Sequence, residues 1–301
     1  MKISVVINTW NEEKNIARCL KSAKWADEIV VVDMYSKDKT VEMAKKFGAE
    51  VYSHKYTHYV EPARNFALSK ATGDWILILD ADEEIPAGLA KKLQKLAKEP
   101  GEKRFFRLPR KNLIFGKWIK HSRWWPDHIV RFFKKGSVTW SEKIHSIPLT
   151  RGEGQDLEAK EANAIVHYHY QSISQYLERL NRYTDVQAKE LIDSGYKFAW
   201  QDLIKKPTGE FLSRFFAGEG YKDGLHGLVL ALLQAFSELI KYLKVWEEEG
   251  FKDQELPLTD FVPTMKKLGK EVAYWLTTSL IKETKGSGKK FFLKIRQKLG
   301  Q

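Results

Sequence analysis

The stretch that most constrains this chain is Trp75-Ile-Leu-Ile-Leu-Asp80-Ala-Asp82-Glu83-Glu84, an apolar run that passes directly into a cluster of carboxylates. Consecutive apolar residues of this kind read as a strand covered on both faces, as in a mostly parallel sheet flanked by helices. The acids then emerge at the carboxyl end of the strand, the edge at which open α/β sheets bind ligands. Asp80 and Asp82 stand two residues apart, so both can reach one hard divalent cation, and such a cation bridges protein carboxylates to substrate phosphates. The pattern points to a nucleotide-linked substrate. A solvated acidic turn, with Glu83 and Glu84 opening a helix through its dipole, accounts for the same residues and stays open at this point.

The preceding residues supply the rest of a sheet. Residues 2–8 read as a first strand, and Asn11 as the cap of a helix beginning at Glu12, with Ile16 and Leu20 on one face. Residues 27–33 form a second strand ending in Asp33, followed by a turn with Ser36, Asp38 and Thr40 and a helix over about 41–47. Residues 50–53 are a third strand, and 62–70 a helix before Gly73 and the strand that ends at Asp80. Alternating strands and helices predict a parallel, doubly wound sheet. Asp33 and Asp80 then share one edge, beside the turn after Asn8.

Four strings carry a resemblance: Ser4-Val-Val-Ile-Asn-Thr-Trp-Asn11-Glu12-Glu13, Ile29-Val-Val-Val-Asp33 with Ser36, Asp38 and Thr40, Ala63-Arg64-Asn65, and Leu79-Asp80-Ala81-Asp82-Glu83. In this order, over about the first eighty-five residues, they resemble family 2 inverting glycosyltransferases of the GT-A fold. The resemblance implies that Asp33 reads the uracil or other base, that Asp80 and Asp82 hold the ribose and the metal, and that Thr9, Glu12 and Arg64 line the nucleotide pocket. From the residues alone, Asn11 as a helix cap and Arg64 as a surface arginine on an amphipathic helix remain alternatives.

Further along, Trp124-Trp125-Pro126-Asp127-His128-Ile-Val-Arg131-Phe132-Phe133 and Trp140-Ser-Glu142-Lys-Ile-His145 resemble the acceptor-side segment of lipopolysaccharide core glucosyltransferases. His167-Tyr168-His169-Tyr170, with Tyr176, Leu180 and Tyr183, and then Gly220-Tyr-Lys-Asp223-Gly224-Leu-His-Gly227 extend the likeness to about Trp246. The group usually carries a glutamate directly after the histidine matching His145, where this chain has Ser146, so no role of that glutamate transfers. The likeness implies a GT-A catalytic domain over 1–170, a helical, membrane-associating region over 171–249, and a helical, basic extension over 250–301. The implied activity is metal-dependent, inverting transfer of a hexose from a nucleotide-sugar, a UDP-sugar above all, to a glycan or glycolipid acceptor of cell-envelope polysaccharide or lipopolysaccharide.

Such chemistry needs the diphosphate charge neutralised, and a cation at Asp82 does this as Lewis acid and template. The candidate metal set is Asp80, Asp82 and His167, the histidine being placed by the resemblance, with His169 as the alternative; a packed core imidazole explains either histidine equally well. Oxygen ligands favour magnesium or manganese, and manganese accepts an imidazole more readily. Inversion requires a base on the face opposite the leaving group. Asp127 is the first candidate, its neighbours Trp124, Trp125 and Phe132 offering stacking surfaces and desolvation. Glu142 is the second. The competing account of Asp127 is a Pro-Asp turn, with Arg131 as its ion-pair partner.

At 301 residues there is room for one catalytic domain and a helical appendage. Cys19 is the single cysteine, which excludes an intramolecular disulfide, and the N-terminal residues lack the apolar stretch of a secretory signal. A cytoplasmic protein is expected. The net charge of +12 calls for an anionic partner. No zinc spacing, helix-turn-helix or RNP-like motif accompanies it, so a membrane surface fits better than nucleic acid. Residues 225–245 are strongly apolar but too interrupted to span a bilayer, and the tail over 285–298 is basic and partly apolar, which predicts peripheral attachment at the inner face. Core packing is the alternative for the first segment. A nucleotidyltransferase and a non-catalytic sugar-nucleotide or membrane-binding module are the other functional classes. The former lacks its Gly-rich, basic loop here, because Thr9-Trp10-Asn11-Glu12 places an acid where a triphosphate would sit.

Overall fold

Strand register places the acids. In the computed structural model, which describes residues 1–57, 61–141 and 148–298, β1 (Ile3–Thr9), β2 (Glu28–Asp33), β3 (Glu50–Ser53) and β4 (Trp75–Asp80) are mutually parallel. Asn8 lies opposite Asp80, and Thr9 opposite Asp33. The helices between them are α1 (Ile16–Ala23), α2 (Thr40–Lys46) and α3 (Glu61–Lys70). After β4 come β5 (Glu83–Glu84), α4 (Ala87–Lys98), β6 (Lys103–Leu108), β7 (Arg110–Ile114), β8 (Lys117–Trp118), β9 (Ile129–Lys134), β10 (Val138–Thr139), β11 (Leu149–Thr150), β12 (Glu153–Asp156) and β13 (Ile165–Tyr170).

The main sheet has seven strands in the order β12-β6-β9-β4-β1-β2-β3. Only β9 runs against the rest, antiparallel to both β4 and β6. The fold is therefore the expected α/β, mostly parallel GT-A sheet with flanking helices. Residues Trp75 to Leu79 of β4 are essentially solvent-free, since helices cover both faces. Antiparallel β9 enters this core through Phe132, stacked on Trp75 at 4.9 Å and packed beside Phe106. A smaller sheet, β5-β13-β7-β8, aligns His167 with Asn112 on one side and with Glu83 on the other.

Two expectations are corrected here. Asn11 does not cap a helix at Glu12: its φ is 53°, and α1 begins at Ile16 after Asn15. The cause is tertiary. The Asn11–Glu13 backbone donates to side chains of the turn after β2, Asn11 N to Ser36 Oγ and Glu12 N to Thr40 Oγ1 (both 2.8 Å), and Glu13 N to Asp38 (3.0 Å). Asn11 Oδ1 in return accepts from Lys37 N at 2.8 Å. Burial pushes the Asp38 carboxyl up, but hydrogen bonds from Thr40 and the Glu13 amide outweigh it and hold the group below its ordinary value. Glu83 and Glu84 open no helix either; they form β5, paired with β13, and α4 starts after Pro86.

The chain divides into two compact units: residues 1–118 with 124–171, and residues 119–123 with 172–301. The second is helical: α5 (Ile173–Asp193), α6 (Asp202–Leu212), α7 (Leu225–Glu248), α8 (Leu258–Glu283) and α9 (Ser287–Lys298). Ala188 of α5 and Val245 of α7 meet Phe198 in its core. Helix α7 buries Gly227, Leu230, Ala231, Tyr242 and Val245 within this unit. Gly227 is obligatory, because a Cβ there would lie 1.8 Å from Gly220 O. Asp223 accepts from the backbone of Lys120 and His121, tying 119–123 to the helices. The Gly220–Gly227 motif is thus a folding device of the helical unit. No helix among the described residues is long and apolar enough to cross a membrane.

Candidate active site

The carboxyl edge of β4 is built as a chain of alternating charges. Arg64, on α3, is buried and donates from Nη2 to Asp80 Oδ1 at 3.0 Å. Arg131, on β9, donates from Nη2 to Asp80 Oδ2 and to Glu83 Oε1, the latter at 2.9 Å. Arg110, at the start of β7, lies 3.7 Å from Glu83 Oε1 and 2.7 Å from Asp127 Oδ2. The order Asp127, Arg110, Glu83, Arg131, Asp80, Arg64 links the candidate base to the acidic motif without a break. Burial pushes the Asp80 carboxyl up, but the two guanidiniums outweigh it and hold the group far below the usual carboxylate range. Arg131 is held in its charged form by Asp80 and Glu83 against the same burial.

A second chain crosses the first at Asp127. Asn112, buried on β7, donates from Nδ2 to Asp127 Oδ2 (3.0 Å) and to Trp124 O (2.7 Å). Both partners are acceptors, so the amide has one orientation and its Oδ1 faces His167 Nδ1 at 2.7 Å. His167 must donate from Nδ1, which leaves the Nε2 lone pair directed away from Asn112. Nε2 lies 3.6 Å from Asp82 Oδ1 and 3.2 Å from His169 Nδ1. Asp82 and His167 are both nearly solvent-free.

This geometry bears on the metal set. Among the described residues no three His, Cys, Asp or Glu side chains converge as a ready-made cage. Asp80 is occupied by two arginines. Asp82 and His167 come near the spacing of a two-donor site for a small divalent cation: ligands each about 2.1 Å from an octahedral ion stand about 3 Å apart, against 3.6 Å between Nε2 and Oδ1 here. Magnesium-type ions commonly take one or two protein ligands and complete their shell with substrate phosphate and water.

The remaining expected residues fall as follows. Asp33 accepts from Ser36 N at 2.9 Å and from Ser36 Oγ, shaping the turn at the edge of β2. Glu12 accepts from Asn15 Nδ2 at 2.8 Å. Thr9 Oγ1, Asn8 Oδ1 and Arg64 Nη1 are buried and meet no partner among the described residues. Arg64 is no surface arginine. Arg131 does not pair with Asp127; Arg110 does, from β7 of the smaller sheet. Phe132 belongs to the core and not to the surroundings of Asp127, whereas Trp125 packs edge-on to Trp118 at 5.1 Å and Trp124 lies 5.5 Å from His169. Glu142, His145 and Ser146 lie outside the described residues. Arg110, Asn112 and the pairing of Arg18 over the Tyr168 ring (3.5 Å) were not singled out from sequence. The one signal for the first two is their two-residue spacing, which puts them on the same face of a strand.

The glycosyl transferase family 2 model matches residues 4–150. An uncharacterized glycosyltransferase of Rickettsia typhi is 32% identical over 255 residues, covering 82% of this chain and 87% of that protein. The chain is a family 2 glycosyltransferase. This family 2 enzyme is also 22% identical over 260 residues to the lipopolysaccharide core biosynthesis glycosyltransferase LpsC of Rhizobium meliloti, covering 84% of this chain and 94% of LpsC. Among solved structures, residues 1–349 of TarS from S. aureus align with 16% identity and a TM-score of 0.40, over 81% of this chain and 92% of that one. Family membership sets aside the nucleotidyltransferase and the non-catalytic module.

Proposed function

We propose that this glycosyltransferase moves a hexose from a UDP-sugar to a hydroxyl of a lipid-linked cell-envelope glycan, with inversion, at the inner face of the membrane. The observation that carries the reading is the charge chain from Asp127 to Arg64 beside three buried polar atoms without partners among the described residues, Asn8 Oδ1, Thr9 Oγ1 and Arg64 Nη1. Leaving such groups unpaired costs about 1–3 kcal/mol each, and a nucleoside diphosphate offers both the acceptor oxygens and the hydroxyls to satisfy them. Arg64 Nη1 suits a phosphate oxygen. Asp80, kept ionised by its two arginines, suits ribose hydroxyls, and Asp33 suits the base. The name of LpsC supports a core glycan as acceptor.

Asp82 and His167 would hold manganese or magnesium, which when bound supplies positive charge to the departing diphosphate. Asn112 holds the His167 ring in the tautomer that such a site needs. Asp127 receives the proton of the acceptor hydroxyl. Its Oδ2 is pinned by Arg110 and Asn112, so Oδ1 is the atom to point at the acceptor, with the Trp124 and Trp125 planes as stacking surfaces for a sugar. Asp127→Asn keeps the shape and removes the proton acceptor. Transfer is expected to fall at least about a hundredfold while calorimetry finds donor binding unchanged. Normal transfer by this variant, with loss in Glu142→Gln, would move the base to Glu142.

A further inference from the structure

His167 and His169 both lie on β13, and regular strand geometry would place their side chains on one face about 7 Å apart. Their rings are closer, with centroids 4.5 Å apart and His169 Nδ1 only 3.2 Å from His167 Nε2. The cause is a bulge. Tyr168 lies opposite Leu113 of β7 and Tyr170 opposite Ile114, so His169 is an extra residue in the pairing. A bulge bends its strand and re-aims the extra side chain. Here it turns the His169 ring toward the neighbouring imidazole, with the Tyr170 ring at 4.0 Å and the Trp124 ring at 5.5 Å beside it. His169 is half-buried whereas His167 is nearly solvent-free, so His169 is the ring with room to move.

Two ring nitrogens at hydrogen-bond distance need one proton between them. Asn112 Oδ1 already takes the Nδ1 proton of His167, so in the neutral ring, the form that binds metals, Nε2 carries none. His169 Nδ1 therefore donates to His167 Nε2. That lone pair is the one an ion shared with Asp82 would use, and a lone pair serves a proton or a cation, not both. We propose that His169 is a cap on the cation site, a positioning residue that must release His167 Nε2 before an ion can bind there. This rests on the reading that Asp82 and His167 hold the cation. With two protein donors and a cap to displace, a bare ion binds weakly, and the diphosphate of a sugar nucleotide adds the oxygens that outweigh the cap. Loading of the cation is thereby tied to arrival of the donor.

The test is manganese titration of the full chain, with and without saturating UDP, followed by water-proton relaxation, which responds far more to an ion held on the slowly tumbling protein than to the free ion or its UDP complex. His169→Phe keeps a ring against Tyr170 and Trp124 but neither donates nor ligates. It should bind manganese about fivefold more tightly than wild type, the worth of one hydrogen bond, and His169→Ala should show the same gain. His169→Asn, whose amide restores a donor, should stay within about twofold of wild type. Asp82→Ala should lose the relaxation signal. Weaker manganese binding by His169→Phe and His169→Ala overturns the proposal and makes His169 a ligand or a structural support, since removing either lowers affinity. Unchanged binding in both overturns it too. The underlying reading fails separately: manganese held equally by wild type and Asp82→Ala, or by neither, removes the cation site and the cap with it, whereas loss in Asp82→Ala without a gain in His169→Phe removes the cap alone.

Discussion

The amide of Asn112 can take only one orientation, because its nitrogen already serves Trp124 O and Asp127, and that orientation dictates the tautomer of His167. A side chain one step behind the proposed metal site therefore sets which His167 nitrogen faces Asp82. Losing such an outer partner typically lowers metal affinity 10- to 100-fold. Asn112→Ala is expected to raise the manganese concentration for half-maximal donor hydrolysis by about that factor, with a smaller fall in rate at saturating metal. Asp82→Ala, which would remove a proposed ligand outright, should abolish metal-dependent turnover at every concentration while the melting temperature moves by only a degree or two. Wild-type turnover in Asp82→Ala would exclude a metal role for that residue.

The strand pairs β1–β4 and β1–β2 place Asp80 and Asp33 on one edge, and their approach at the opposite end depends on one small residue. Gly73 N donates to Ser4 Oγ at 2.8 Å, and a Cβ on Gly73 would lie 2.5 Å from Ser4 Oγ, 2.8 Å from Ser4 N and 2.9 Å from Lys2 O. Two of those atoms are backbone of the central strand or its approach, so they cannot swing away. Gly73→Ala should cost about 2 kcal/mol and lower the melting temperature by roughly 5 °C, measured by calorimetry. A neutral effect would mean that the two strands separate without penalty.

Acid should loosen the whole molecule through carboxylates that the fold holds ionised. Glu28 is buried, which pushes its carboxyl up, but hydrogen bonds from Ser4 and Thr72 outweigh this and hold it below its ordinary value of 4.5. Asp80 is held low by Arg131 and Arg64. Folded-state values below the unfolded ones mean that this stabilisation is complete above about pH 4.5 and is lost as pH falls further, through the folded values. Melting temperatures should therefore be nearly level from pH 7 to 5 and drop below 4.5. Glu28→Gln, with no proton to gain, should show a shallower drop. An unchanged acid slope in that variant would assign the loss to other groups.

Local chemistry sufficed for the four strands β1 to β4, their boundaries to within a residue or two and the shared edge of Asp33 and Asp80, because buried parallel strands announce themselves as unbroken apolar runs and an acid at the end of one must emerge at that edge; β6, β9 and β12 of the same sheet were not read as strands. The family, too, was legible, since its motifs are short and local. Partnership was not. Arg110 with Asp127, Arg131 with Asp80 and Glu83, and Asn112 between Asp127 and His167 are contacts of strands 15 to 55 residues apart, and nothing in a single sequence ranks one arginine over another as the neighbour of a given acid. The same holds for Asn11, a plausible cap by composition that Ser36 and the turn after β2 draw out of helical geometry. Apolar pattern marked residues 225–245 but not their fate: which of them are buried, as Leu230, Ala231, Tyr242 and Val245 are, and which stay exposed, as Leu225, Leu232 and Phe236 do, is set by which helices pack together, and only the tertiary structure decides that.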